Sequence, residues 1–200
     1  VFAAVLDAKI QQLDISDWIE KFERPRQAQK TFENLLGEIH PAVIGTLDDW
    51  EDLKTGKVID VLNKKDKIVA EFKNKANTTN SDSALGAYDA LEKFVNSPDQ
   101  YEGYMVQVLP KNGDVYNEPF TPSDKKTKKK RPLNTRLRKI DGKSFYALAT
   151  GEDDALEQFY SEYPSIIDEI LTEEYKNYSS TNLGDMRQEI FEKIFPKDEN

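Results

Sequence analysis

The chain has 200 residues, 38% hydrophobic and 32% charged, with a formal net charge of −9 and no cysteine. That length suits one domain with a sizeable core. The missing cysteines exclude a disulfide framework and a cysteine-ligated zinc site, and they fit a reducing cytoplasm. No apolar run reaches the roughly eighteen residues a membrane span needs.

Helical periodicity opens the chain. Leu13, Ile15, Trp18, Ile19 and Phe22 form one stripe, and Phe32, Leu35, Leu36 and Ile39 form a second that Pro41 is expected to close. Trp18 and Trp50 are expected in the core, and His40 at the helix end is expected to pack or cap. Two β-rich runs follow at about 58–63 and 68–75, joined by Lys64-Lys65-Asp66-Lys67. Asn77 to Asp82 is a polar turn. Ser83 is expected to cap a helix that turns Leu85, Tyr88, Leu91 and Phe94 inward. Tyr104 to Leu109 suggests a strand, residues 111–143 suggest extended loops, and Ser144 to Ala149 suggests another strand. From Glu152 the pattern is helical, through Leu156, Phe159 and Tyr160, then Ile166, Ile167, Ile170 and Leu171, then Met186, Ile190, Phe191 and Ile194.

The paired runs carry the chemistry. A four-residue hairpin loop makes residues 63 and 68 neighbours, which places Asp60 opposite Glu71. Alternation puts Lys73 on the same face as Glu71. Two carboxylates and a lysine on one patch are what a metal-dependent nuclease requires. Hard oxygen ligands suit Mg²⁺, which lowers the pKa of a bound water and offsets charge on a phosphodiester, while Lys73 holds the attacking water or the phosphate. A solvated surface hairpin of a highly charged chain would show the same spacing, although Ile68, Val69, Ala70 and Phe72 around Glu71 are apolar, as in a buried strand. Glu38, on the preceding helix, is a further candidate acid for the metal. Asn74, Lys75, Asn77, Thr78, Asn80 and Ser81 carry amides, hydroxyls and a cation suited to phosphate or base-edge contacts. The same residue types also form ordinary turns.

Asp60 with Glu71-Phe72-Lys73 resembles the active-site signature of the PD-(D/E)xK nucleases. The string from Ala70 to Thr78, AEFKNKANT, is more specific. It resembles the type II restriction endonucleases that cut interrupted GG-N-CC or GG-W-CC sites, in which this segment reads A-E-[IF]-K-N-K-H-N-T. The likeness includes Asp60 to Asn63, Tyr116 to Ser123 and Gly142 to Gly151, and touches about residues 30 to 165. Ala76 stands where that pattern has histidine.

The resemblance implies an α/β, restriction-endonuclease-like fold, with a mixed sheet flanked by helices and a helical C-terminal part. A single nuclease domain over 1–200 is expected, with its core at about 30–150 and the helical region at about 152–196. It further implies Asp60 and Glu71 as Mg²⁺ ligands, Lys73 as the residue that positions water, and double-stranded DNA as substrate. A homodimer acting on a palindromic site, a cognate DNA methyltransferase in the same restriction-modification system and a prokaryotic cytoplasm complete the expectation.

The acidic net charge conceals a basic segment. Lys125, Lys126, Lys128, Lys129, Lys130, Arg131, Arg136, Arg138 and Lys139 lie within fifteen residues that contain no acid, which leaves 19 basic residues against 37 acidic ones elsewhere. DNA attraction needs a local positive surface rather than a basic whole. Lys128, Lys129, Lys130, Arg131, Asn134, Arg136 and Arg138 are therefore candidate DNA contacts, with a solvated loop as the alternative. Two other readings stay open: a repair or recombination nuclease of the same fold, and a weakened or non-catalytic DNA-binding variant, which Ala76 suggests.

Overall fold

A computed structural model describes residues 2–54, 59–75, 81–124 and 127–174. Ala76, Asn77, Thr78, Asn80, Lys125, Lys126 and the helix expected around Met186 to Ile194 lie outside the described residues. Packing divides the chain into two compact units, Val1–His40 and Pro41–Asn200.

The first unit is helical: α1 (Phe2–Ile10), α2 (Ile15–Trp18), a π-helical turn (Ile19–Glu23) and most of α3 (Arg24–Ile44). Asp14 caps α2 by accepting from the Asp17 N–H at 2.8 Å. Trp18 is buried as expected, stacked on Phe22 with ring centroids 6.5 Å apart, and its indole N–H donates to Asp7 at 2.7 Å. His40 is also buried, and burial draws its imidazole down to about 4, so the ring is neutral at pH 7.

One expectation about α3 fails. The helix does not end at Pro41 but runs through it to Ile44. Proline removes only its own N–H; its carbonyl still accepts from the Gly45 N–H at 2.9 Å. Complete burial of Ile44 gives that last turn a packing reason to form.

The second unit is built on six strands in the order β1-β2-β3-β4-β6-β5. Strands β1 (Trp50–Asp52), β2 (Val61–Asn63) and β3 (Ile68–Lys75) are antiparallel. Helix α4 (Ser81–Val95) then returns the chain, so that β4 (Glu102–Leu109) lies parallel to β3, and β6 (Leu137–Asp141) lies parallel to β4. The short β5 (Asn117–Pro119) pairs antiparallel with β6 at the edge. Helices α5 (Gly142–Thr150) and α6 (Ala155–Glu174) follow.

Strand alternation sorts the core into two layers. Val61, Ala70, Phe72, Val106 and Ile140 pack with Phe145, Tyr146 and Leu156 of α5 and α6. Leu62, Val69, Met105 and Leu137 pack with Ala87, Tyr88, Leu91 and Val95 of α4. The result is a mixed sheet with helices on both faces.

Three further expectations are corrected here. Residues 111–143 are not all loop, because β5 and β6 lie within them. The expected strand at Ser144 to Ala149 is helix α5. Asp141 caps it by accepting from the Ser144 N–H at 2.9 Å, and Gly151 ends it with φ of 81°. Phe145 and Tyr146 are adjacent and both buried, which a helix allows and a one-sided strand does not. Helix α4 begins at Ser81 rather than after a Ser83 cap.

The passage from β6 to α5 requires glycine. A Cβ at Gly142 would lie 2.4 Å from the Val108 carbonyl oxygen and 2.7 Å from its Cα, and backbone cannot step aside as a side-chain tip can. Gly142→Ala should destabilise the fold by about 1–3 kcal/mol, the usual range for overpacking. Thermal unfolding checks this, and an unchanged Tm would refute the close approach.

Candidate active site

The hairpin that carries the candidate residues has the register expected from its loop length: Asn63 faces Ile68, Leu62 faces Val69 and Val61 faces Ala70. Asp60 sits one residue before β2, where the chain bends. Its backbone is tied on both sides, its N–H donating to Ala70 at 3.0 Å and its carbonyl accepting from Leu53 at 2.8 Å. Its carboxylate accepts the Phe72 N–H at 2.6 Å. Phe72 is fixed in turn, since its ring meets that of Phe145 edge-on at 5.2 Å. The position of the Asp60 carboxylate is therefore set by the middle of β3.

Glu71 and Lys73 flank Phe72 and project from the opposite, α4-facing side of β3. Lys73 Nζ lies 2.7 Å from Glu71 Oε1, with the two side chains 27% and 16% exposed. Burial raises the Glu71 carboxyl above its usual range, and the nearby charge of Asp60 adds to the rise; Lys73 opposes it. Burial also raises Asp60, against the Phe72 N–H and the Lys73 charge, and Asp52 contributes further repulsion. Two carboxylates that repel each other in a half-buried patch favour an added cation.

Among the described residues no group of three or more His, Cys, Asp or Glu side chains is placed to hold a metal. The pair Asp60 and Glu71 fits an ion that takes one or two carboxylates and keeps several waters, as Mg²⁺ does. Glu38 is exposed on α3, within the Val1–His40 unit.

The other candidates separate by face. By alternation Asn74 follows Phe72 to the α5 side of β3, while Lys75 pairs with Leu109 at the strand's end and Ser81 opens α4. Lys128, Lys129 and Lys130 are exposed on a small antiparallel arm. The arm is closed by a Ser123–Lys130 bridge, by the Arg131 N–H on the Pro122 carbonyl and by the Asp124 N–H on the Lys129 carbonyl, each of those two bonds 2.9 Å. Arg131 pins the arm to α4. It pairs with Asp89 at 2.7 Å and lies over the Tyr88 ring, whose hydroxyl donates to the Pro132 carbonyl at 2.9 Å. Asn134 makes a turn by accepting from the Arg136 N–H at 3.0 Å, and Arg136, just before β6, accepts from the Gly103 N–H of β4. Arg138 lies on the α5 face and bonds to Asn117 at the sheet edge.

Sequence reasoning gave no role to a cleft of about 370 Å³ on the α4 face, lined by residues including Ser81, Gln107, Glu118, Thr121, Ser123 and Lys139. Gln107 is buried beside Lys73 on the neighbouring strand, and its side-chain oxygen accepts from the Tyr116 hydroxyl. The one available signal was the string Tyr116 to Ser123, part of the family likeness with no chemistry attached to it.

The raised carboxyls have a consequence for stability. A group whose pKa is higher folded than unfolded favours folding at low pH and loses that contribution as pH rises through the folded value. Without metal at pH 7, the Asp60 charge therefore opposes folding. Asp60→Asn keeps an acceptor for the Phe72 N–H and removes that charge, so it should raise stability in EDTA at pH 7 by about 1 kcal/mol. The gain should vanish near pH 3. Thermal unfolding at the two pH values checks this, and an equal gain at both would refute the electrostatic cause.

The family model described as Eco47II restriction endonuclease matches residues 1–172. The chain is 38% identical over 155 residues to the type II restriction enzyme Eco47II of Escherichia coli, covering 76% of this chain and 65% of that one, just under two thirds of the relative's length. It is 28% identical over 186 residues to the type II restriction enzyme Sau96I of Staphylococcus aureus, covering 91% of this chain and 71% of that one. No solved structure matches. With most of its length matched by the family model and a mixed sheet between two helical layers, the chain belongs to the Eco47II restriction endonuclease family.

Proposed function

We propose that this chain is a site-specific endonuclease that hydrolyses phosphodiester bonds of double-stranded DNA in a restriction-modification system. The observation that carries the reading is the Asp60 carboxylate held on the Phe72 N–H, near enough for its charge to act on Glu71, with Lys73 Nζ 2.7 Å from Glu71. Both relatives are named type II restriction enzymes, which supports that reaction class.

Type II restriction endonucleases use divalent metal ions, and hard oxygen donors in a charge-repelling pair favour Mg²⁺ here. Asp60 and Glu71 would hold the ion, which would supply a water of lowered pKa and offset charge on the phosphate. The remaining work belongs to the chain. Asp60 is held still by the Phe72 N–H, so its position does not depend on the substrate. Lys73 presents an ammonium beside Glu71, where it orients the attacking water and stabilises negative charge as the phosphate passes through five-coordination. Lys128, Lys129 and Lys130 extend from the arm towards the DNA backbone, so an acidic protein still offers local attraction to a polyanion. A short palindromic target engages two copies related by a two-fold axis, one per strand, and the cognate methyltransferase protects host sites. Such an enzyme works where the chromosome lies, in the prokaryotic cytoplasm.

Incubation of plasmid DNA with the protein and Mg²⁺ should give discrete bands. Lys73→Ala should reduce the single-turnover rate by about a hundredfold or more, with the protein still folded by circular dichroism and Tm lowered only modestly by loss of the charge beside Glu71. A smear of products would favour a nuclease without sequence preference, and undiminished cutting by the lysine variant would remove Lys73 from the chemistry.

The arm supplies a second measurement. Removing Lys128 and Lys129 together should flatten the slope of log affinity against log salt by about two units, equally for target and random duplexes. An unchanged slope would return the arm to a solvated surface feature.

A further inference from the structure

A straight row of side chains crosses the α4 face of the sheet. Glu71 on β3 pairs with Met105 on β4, Met105 with Lys139 on β6, and Lys139 with Glu118 on β5. With strands about 4.8 Å apart, Lys139 stands about 10 Å and Glu118 about 14 Å from the candidate catalytic strand. Base pairs stack every 3.4 Å or so along DNA, so that interval is about three to four steps, the scale of a short recognition site.

Both residues face the cleft beside α4, and both are constrained. The Lys139 ammonium lies 4.8 Å from the centroid of the Tyr116 ring. Tyr116 is fixed at both ends: its hydroxyl donates to the buried Gln107 and its backbone N–H donates to the Asp141 carboxylate at 2.8 Å. The Lys139 Nζ to Glu118 Oε1 separation is 3.9 Å, too long for a hydrogen bond. Donor and acceptor therefore form a long ion pair without a hydrogen bond between them. Glu118 is 58% exposed and Lys139 31% exposed in their side chains, so both can be reached.

The carboxylate is the informative partner. A cleft that only held phosphates would exclude Glu118, which repels a polyanion. A carboxylate in a DNA-facing cleft is explained when it accepts from a base, and the base that presents a donor to Glu in the major groove is cytosine, through its N4 amino group. The matching role for a lysine is donation to guanine O6 and N7. We propose that Glu118 and Lys139 together read one G·C base pair of the target, with Tyr116 as the positioning residue behind the lysine. This rests on the reading of the chain as a site-specific DNA endonuclease.

The test is cleavage of a pool of linear duplexes with a randomised core of about ten base pairs, in Mg²⁺, with the cut ends sequenced. The unaltered protein should return a motif containing G·C pairs. Glu118→Ala and Lys139→Met should relax the same single G·C position by about tenfold to a hundredfold and leave the other positions unchanged. Glu118→Gln, which adds a donor, should admit adenine at that position, because glutamine pairs with adenine N6 and N7. Tyr116→Phe should relax the same position more weakly. Failure of the unaltered protein to return any motif would refute the endonuclease reading itself. A motif that survives intact in both single variants, or an even loss at all positions with a flatter salt slope, would refute the assignment of Glu118 and Lys139 alone. Circular dichroism of each variant should match the parent, as expected for partly exposed side chains beside the sheet edge.

Discussion

The hydrogen bond from the Phe72 N–H to the Asp60 carboxylate is the constraint on which the centre of the molecule depends. It joins the residue just before β2 to the middle of β3, and the packing of Phe72 supports it. The Phe72 ring is locked against Phe145, which also meets Trp50 at 5.7 Å and Tyr104 at 6.0 Å. A side chain on one face of the sheet thus fixes a carboxylate at the strand edge, and its two neighbours, Glu71 and Lys73, are fixed by alternation on the other face. Hydrophobic packing behind the sheet sets the geometry of the charges in front of it.

That arrangement works against stability. Asp60 and Glu71 are each pushed above the ordinary carboxylate range by burial, and their proximity adds repulsion. The Phe72 N–H and Lys73 relieve part of the penalty and leave the remainder as an attraction for a cation. Local violation of the rule against buried like charges is what marks the patch as a candidate site.

Electrostatics outside the centre follow a similar division. The chain is acidic overall, while the exposed Lys128, Lys129 and Lys130 sit on an arm closed by a short β-bridge. Arg131, with the same charge as its neighbours, serves a different purpose: its ion pair with Asp89 and its place over Tyr88 attach the arm to α4. Asp141 likewise spends its charge on structure, capping α5 and holding the Tyr116 N–H. Composition cannot distinguish these roles, since each depends on which group lies opposite.

The amino-acid sequence by itself determined the hairpin and its register, because a four-residue loop and a period of two fix which residues of the two strands face each other. It also determined the family, through the string from Ala70 to Thr78 together with the likeness around Tyr116 and Gly142. Only the tertiary structure decided that Ser144 to Ala149 is helical, since Asp141 and Gly151 act as caps through contacts a hydrophobic pattern does not encode. It alone revealed β1, β5 and β6, which are short or polar and gain strand character from their neighbours rather than from their own residues. The same holds for the row from Glu71 to Glu118 and for the division of basic residues between the α4 face and the α5 face. Those depend on parallel and edge pairings between segments far apart in the chain, and no local periodicity specifies which strand becomes the neighbour of which.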